Sequence, residues 1–146
     1  MAELRDPDFA AAVRASFARQ GMMRHLAAEL VAVAPGSVTI AAPIRPETSQ
    51  QHGFAHAGLA WTIGDSAAGY AALSLLAPGD EVLTVEMKIN LLAPARGARL
   101  IAHGRVLRAG RRLIVVAADI HAEGDGPSVH IATMLGTMIP LSAGPA

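Results

Sequence analysis

Apolar and polar positions along this chain of 146 residues change their spacing several times, and each change predicts a new element. Over residues 8–20 apolar side chains recur every four positions (Phe9, Val13, Phe17), which predicts a short amphipathic helix. Pro35-Gly36 is a turn signal before the alternating residues 37–44, which favours a hairpin, although Ala and Leu before the turn also suit a helix. Residues 45–55 are predicted to be a loop.

A long helix is predicted from about Ala57 to Leu76, where the chain is apolar on every side, and Pro78-Gly79 ends it. A helix without a polar face should be wrapped by other structure. Its glycines at positions 58, 64 and 69 would each cost about 1 kcal/mol against Ala in an exposed helix. In a wrapped helix they allow close approach of a sheet or a partner helix.

Alternation with a period of two then predicts four strands, at residues 81–92, 98–108, 112–121 and 129–139. One face of the first strand would carry Val82, Thr84, Glu86, Lys88 and Asn90. Gly110 lies in a short turn typical of a hairpin, and the tail over 140–146 is predicted to be frayed. The order of elements predicts one α+β domain over residues 1–146, a single apolar helix wrapped by one curved antiparallel sheet.

Composition narrows the possible functions. The chain has no cysteine, which excludes disulfides, zinc thiolate sites and thiol nucleophiles. Lys+Arg and Asp+Glu are equal at 12 each, so no net field would hold nucleic acid or an anionic membrane. The N-terminus lacks the apolar stretch of a signal peptide, so we expect a cytoplasmic protein. With 52% hydrophobic residues, we expect a homo-oligomer, because subunit contact covers apolar surface.

Asp65 is the only formally charged side chain between Glu47 and Asp80, and it lies inside the apolar helix. A buried carboxylate is costly, because ionising it in a low-dielectric site forfeits its hydration. We interpret Asp65 as a general base or nucleophile whose pKa is tuned by partial burial. The alternative is a salt bridge to Arg105 or Arg112 of the sheet.

A polar loop, residues 50–58, runs directly into this helix. Backbone N–H groups at a helix N-terminus lack partners and carry partial positive charge, so His56-Ala57-Gly58 could hold the oxyanion of an acyl carbonyl. An ordinary N-terminal cap is the alternative. His52 and His56 would share one face of a helix as metal ligands, but Gly53 argues against a helix there, and we predict no metal.

Other polar candidates lie on predicted strands and turns. Thr84 could hydrogen-bond a water or a carboxylate. Three arginines at one hairpin tip could hold the phosphates of a nucleotide, or could simply be solvated: Arg108, Arg111 and Arg112. Three histidines on predicted strands are interpreted as ordinary sheet residues: His103, His121 and His130.

Together these segments resemble the hotdog fold, in particular its phenylacetyl-CoA thioesterase-like branch. The branch pattern is Asn or Gln, then Gly, then His-Gly-Gly, then an acid nine residues after the His. Here it is formed by Gln50, Gly53, His56-Ala57-Gly58 and Asp65. Residues 83–95 and Gly110-Arg111 resemble the strand and hairpin that follow, so the similarity spans about residues 22–139. Ala57 replaces the first Gly of His-Gly-Gly, and Gln50 stands where many relatives have Asn.

The resemblance implies an acyl-CoA thioesterase that releases a free acid and CoA, with no cofactor beyond the CoA of the substrate. By position, Asp65 would be the base or nucleophile, and the Ala57 N–H would bind the oxyanion. Gln50 would orient the water or contact the thioester carbonyl, His56 would steady the loop, and Thr84 would support the water. CoA contacts are assigned to Gly58, Arg108, Arg111 and Arg112. Such sites are shared between protomers, in a dimer or in a tetramer of back-to-back dimers.

Two other functions stay open. A hotdog hydratase or dehydratase would pair a His with an acid, and a non-catalytic acyl-CoA binder would carry Ala57 as a mark of lost activity. The acyl group stays open as well.

Overall fold

The computed structural model describes residues 5–144, which form one antiparallel sheet with helices packed on it. The helices are α1 (Phe9–Arg19), α2 (Gly21–His25) and α3 (Ala57–Leu73). The strands are β1 (Glu29–Ala34), β2 (Ser37–Pro43), β3 (Glu81–Leu91), β4 (Arg99–Ala109), β5 (Ile114–Glu123) and β6 (Val129–Leu141). Their order in the sheet is β1-β2-β4-β5-β6-β3, and α3 packs across it. This confirms the predicted α+β architecture, a curved sheet around one long helix.

Helix α3 is buried by close approach to the sheet. A side chain added at Gly104 of β4 would overlap the backbone of Ala67, so only glycine lets the helix lie this near. A side chain added at Gly64 of α3 would instead meet the flexible end of Met134 of β6, which agrees with the close approach to a sheet predicted for that glycine. The role of Gly104 was not predicted, because an isolated glycine in an alternating segment does not reveal what lies over it.

Three predicted boundaries were wrong by a few residues. Helix α3 ends at Leu73 rather than Leu76, because the Ser74 hydroxyl donates to the Ala71 carbonyl at 2.7 Å and accepts from the Gly36 N–H at 2.8 Å. Strand β5 begins at Ile114, which puts Arg112 in the turn. The tail is not frayed from residue 140, since β6 continues to Leu141 and pairs there with β3.

The predicted common face of β3 was also wrong. A β-bulge between Thr84 and Glu86 shifts the register against β6. The alternation of inward and outward side chains is therefore reversed from one half of the strand to the other. Thr84 therefore points to α3 together with Val82. Beyond the bulge Met87 and Ile89 face the core, and Glu86 bonds its cross-strand neighbour Thr137 on the outer side.

Strand β3 is one edge of the sheet, and its outer edge is long and apolar. Leu83, Val85 and Leu91 are each more than half exposed. A long apolar edge strand is a template for pairing with another chain unless it is covered. No helix within residues 5–144 combines the length and the apolar character that crossing a bilayer requires.

Candidate active site

Asp65 lies at the middle of α3, in a cleft between the helix and the start of β3. Its Oδ1 accepts a hydrogen bond from the Thr84 hydroxyl at 2.8 Å, the contact that the β3 bulge makes possible. Burial raises the pKa of the Asp65 carboxyl, and the Thr84 hydrogen bond opposes this by lowering it. The salt bridge left open by the sequence is not formed: Arg105 pairs with Asp119 at 2.5 Å, and no cation of residues 5–144 pairs with Asp65.

One wall of the Asp65 cleft comes from helix α1, which the sequence did not connect to the site. The Gln20 side chain donates to the Tyr70 hydroxyl at 3.0 Å, and Ser16 lies 3.2 Å from the same hydroxyl. Gln20 also accepts from Ser66 at 3.4 Å. Ser16 in α1 and Gln20, the residue directly after that helix, are four positions apart, and this spacing is the signal that could have identified them. This network fixes α1 beside the carboxylate.

The N-terminus of α3 carries the His-Ala-Gly segment. His56 is the N-cap, and its Nδ1 accepts a hydrogen bond from the Gly58 N–H at 2.8 Å. The Gly58 N–H is therefore committed to the cap. In contrast, the Ala57 N–H finds no acceptor within residues 5–144. Ala57 is the first residue of the helix and has no positive φ, so its backbone does not require glycine.

Ala57 lines a cavity of about 560 Å³. Its lining is mostly apolar: Phe54, Ala55, Ala60, Leu91, Leu92, Ala93, Pro94, Ala95 and Ile131, together with Gln50, His56 and Ala57. The Gln50 Oε1 accepts a hydrogen bond from the His52 N–H inside the same loop. With its oxygen engaged, the Gln50 side chain can offer its two N–H groups to a ligand in the cavity.

The structure does not bring all predicted site residues together within one protomer. Asp65 and Thr84 line one cleft, and Gln50, His56 and Ala57 line the other cavity. Ala57 and Asp65 are eight residues apart on α3, about 12 Å along the helix axis. One chain therefore presents the carboxylate and the free N–H as two separate half-sites.

The remaining predicted site residues do not line either half-site. Arg108 is at the end of β4, and Arg111 and Arg112 are exposed in the turn that follows. Gly58 borders a third cavity beside α2. His52 is exposed in a turn, and within residues 5–144 no three His, Asp or Glu side chains are placed to hold a metal.

A cation that the sequence did not single out lies at the cavity wall. The Arg96 guanidinium carbon is 4.0 Å from the centroid of the Phe54 ring, and Phe54 lines the cavity. Such stacking joins residues far apart in the sequence, and neither residue belongs to a motif that could have revealed it.

Comparison with known proteins gives consistent similarities. The family model of the Thioesterase superfamily matches residues 52–129. A Saccharolobus solfataricus protein named "Putative esterase SSO2140" is 30% identical over 105 residues, 72% of this chain and 74% of that protein. A thioesterase family protein from Silicibacter pomeroyi is 44% identical with a TM-score of 0.90, over 92% of this chain and 99% of that one.

The PaaI protein from the phenylacetic acid degradation operon of E. coli has a TM-score of 0.82 at 17% identity, over 92% of this chain and 94% of that one. At this identity the likeness concerns the fold alone. The match over residues 52–129 covers more than half of the chain and includes His56, Ala57, Asp65 and Thr84, but not Gln50. The protein therefore belongs to the Thioesterase superfamily and has the hotdog fold.

Proposed function

We propose that this protein is an acyl-CoA thioesterase that hydrolyses the thioester to a free acid and CoA. One observation carries the proposal: within residues 5–144, the helix that bears a desolvated carboxylate with no cationic partner begins with a backbone N–H that has no acceptor. Thioester hydrolysis needs both a group that activates or delivers the nucleophile and a donor for the developing oxyanion.

Asp65 supplies the first requirement as a general base or as a nucleophile. As a base, its carboxylate takes a proton from water while the water oxygen bonds to the thioester carbon. As a nucleophile, its oxygen bonds to that carbon, and water later cleaves the anhydride. In both routes the C–S bond breaks and CoA leaves as a thiolate, a good leaving group. Burial supports either role, because the raised pKa makes the Asp65 carboxylate more basic than an exposed one.

The Ala57 N–H supplies the second requirement. A helix N-terminus carries partial positive charge, and Ala57 lines the cavity where a thioester carbonyl would enter. The free N–H groups of Gln50 give the same oxygen a second donor. His56 acts on the geometry, since its ring fixes the first turn of the helix by accepting from Gly58.

The two half-sites meet in a dimer, which we propose forms through the apolar edge of β3. The contacts between β3 and α3 show that the two elements run in opposite directions. Thr84 contacts Asp65, the Met87 carbonyl accepts from the Trp61 indole at 3.3 Å, and Leu91 lines the cavity with Ala57. The hydrogen bond between Trp61 and Met87 lies halfway between the two half-sites.

Antiparallel pairing of β3 with a second copy, centred near Met87, would therefore exchange the two ends. Thr84 and Asp65 of one protomer would face the Leu91 and Ala57 region of its partner. Each dimer would then hold two complete sites, and the exposed leucines of β3 would be covered.

The test is thiol release from a panel of acyl-CoAs, comparing the wild type with Asp65→Asn and Ala57→Pro. Asp65→Asn removes the charge with little change of shape and should abolish most turnover. Proline suits the first position of a helix, and His56 already has the extended backbone that precedes proline (φ −66°, ψ 142°). Ala57→Pro should thus keep the fold and reduce kcat by about 10²–10³-fold through loss of one donor.

Ala57→Gly is the matched control, because it keeps the N–H, and it should be nearly neutral. Mixing the two inactive variants tests the shared site. Randomly mixed dimers contain one intact site in each heterodimer, so about a quarter of wild-type activity should return. No recovery in verified heterodimers would mean that Asp65 and Ala57 act within one protomer, and full activity of Asp65→Asn would remove the proposed chemistry.

One further measurement separates the two roles of Asp65. After single turnover in H₂¹⁸O, label in the Asp65 carboxyl would establish a nucleophilic Asp65 whose anhydride is opened at the Asp65 carbon. A general base, or an anhydride opened at the acyl carbon, places the label in the released acid, and only the anhydride leaves a covalent acyl-enzyme that mass spectrometry of quenched protein detects. Acyl-CoA binding without release of thiol from any acyl-CoA would instead favour the non-catalytic binder.

A further inference from the structure

A positive charge that the mechanism above does not use lies beside one residue of the cavity wall. The Arg96 guanidinium stacks on the Phe54 ring, with its central carbon 4.0 Å from the ring centroid. Phe54 lines the cavity that also contains Ala57, at which the thioester carbonyl would be bound. The charge is thus separated from the substrate cavity by one aromatic ring.

Arg96 is also tied to the loop that carries the oxyanion donor. The carbonyl of the preceding residue, Ala95, accepts a hydrogen bond from the Ala55 N–H at 2.9 Å, and Ala95 is buried. Ala55 is two residues before Ala57 on the same loop. This contact therefore holds the backbone of Arg96 next to the loop that carries Ala57.

The residues after Arg96 are equally constrained. Gly97 has a φ of +136°, and a side chain there would overlap the backbone of Glu123. The next residue, Ala98, donates its N–H to the Glu123 carbonyl at 2.7 Å. The backbone on both sides of Arg96 is thus held in place, and the point from which its side chain extends is fixed.

No carboxylate within residues 5–144 neutralises Arg96, whereas its neighbour Arg99 pairs with Glu123 at 2.7 Å. Stacking on Phe54 occupies a flat face of the guanidinium and leaves the N–H groups at its edge available. An arginine with this arrangement suits bidentate contact with a phosphate or a carboxylate.

We propose that Arg96 binds an anionic group of the substrate and so selects charged thioesters over uncharged ones. The inference rests on the proposed function, because it assumes that a thioester occupies the cavity. The anionic group is either a phosphate of CoA or a carboxylate at the far end of the acyl group. Phe54 is a positioning residue that orients the guanidinium.

The test measures binding by calorimetry, using thioethers that cannot be hydrolysed. The probes are S-hexyl-CoA, S-hexyl-pantetheine, which lacks all phosphates, and a pantetheine thioether whose alkyl chain ends in a carboxylate. Arg96→Ala should weaken binding of the anionic probe by roughly 10–100-fold and leave S-hexyl-pantetheine unchanged. The affinity of Arg96→Lys for the anionic probe should lie between those of the wild type and Arg96→Ala. Phe54→Leu should lower this affinity by about 2–5-fold, the contribution of an exposed cation–π contact.

The probes identify the source of the charge. If Arg96→Ala loses affinity for S-hexyl-CoA alone, Arg96 binds a phosphate. If it loses affinity for the carboxylate probe, Arg96 binds the end of the acyl group. Arg99→Ala is the matched control, since its charge is paired with Glu123, and it should bind all probes as the wild type does.

Unchanged affinity of Arg96→Ala for both anionic probes overturns the inference, as does failure of the wild type to bind any probe. So does a loss that appears only in the double variant Arg111→Ala, Arg112→Ala, which would move the anion to the hairpin tip. A protein that binds the thioethers but hydrolyses no thioester would refute the proposed function while the same data still decide the role of Arg96.

Discussion

Replacing Thr84 by valine tests whether Asp65 acts in its ionised form. Valine keeps the shape of threonine but cannot donate to the carboxylate, so the Asp65 pKa should rise further. A hydrogen bond to a charged group contributes about 1.5–3 kcal/mol, and the partial exposure of Asp65 places it at the lower end. A loss of about 1.5 kcal/mol reduces the ratio of ionised to protonated Asp65 by roughly tenfold at a given pH.

The assay is kcat/KM for thioester hydrolysis as a function of pH. The acid limb of the profile should move to higher pH in Thr84→Val, with the plateau at high pH retained, because raising the pKa only delays ionisation. Thr137→Val is the matched control: Thr137 also donates to a carboxylate, that of Glu86 at 3.2 Å, but on the outer side of the sheet. An unmoved acid limb in Thr84→Val, or an equal shift in both variants, would refute the assigned role of the hydrogen bond.

Three further predictions concern stability, measured by urea unfolding at fixed protein concentration. Because the folded-state pKa of Asp65 is raised above 3.8, its ionised form opposes folding. The free energy of unfolding of Asp65→Asn should therefore exceed that of the wild type by about 0.5–1 kcal/mol at pH 7, and this difference should vanish as pH falls towards 4. A constant gap would contradict this. Gly104→Ala should cost about 3 kcal/mol through overlap with Ala67, whereas Gly126→Ala, with open space around it, should change stability by less than about 0.5 kcal/mol; equal effects would argue against the close packing. Ala27 has a φ of +52°, so Ala27→Gly should stabilise by about 0.5–1 kcal/mol, and a loss would show that this backbone is not strained.

The sequence was sufficient for the parts of the fold that depend on local pattern. The apolar helix with Asp65, the Pro35-Gly36 hairpin and the later strands follow from periodicity and turn residues, and the structure confirms them within a few residues. The prediction of which β3 residues share a face with Thr84 was wrong, because a bulge depends on how β3 pairs with β6 and is not visible in the alternation of the sequence.

The candidate site was predictable only where its residues lie in one continuous segment. Gln50, His56, Ala57 and Asp65 fall within sixteen residues and form a spacing that resembles a known family. Arg96 and Phe54 are 42 positions apart, and Gln20 and Tyr70 are 50 positions apart, so only the folded chain brings these pairs into contact. Tertiary contacts of this kind carry no periodic signal.

The bulge in β3 lets Thr84 and Met87 face the same side of the sheet although they are three residues apart. In an uninterrupted strand the face of Thr84 and the face of Met87 are opposite, since side chains alternate with a period of two. The extra residue lets both point inward, one to Asp65 and one to the core. Deleting Val85 would place Thr84 two positions before Met87, so regular alternation would keep both side chains on the inner face and the support of Asp65 would survive loss of the bulge. Deleting Val85 together with Glu86 would place Thr84 next to Met87 and turn it away from the carboxylate. The contact therefore depends on whether the number of residues between Thr84 and Met87 suits the pleat, although neither deleted residue belongs to the site.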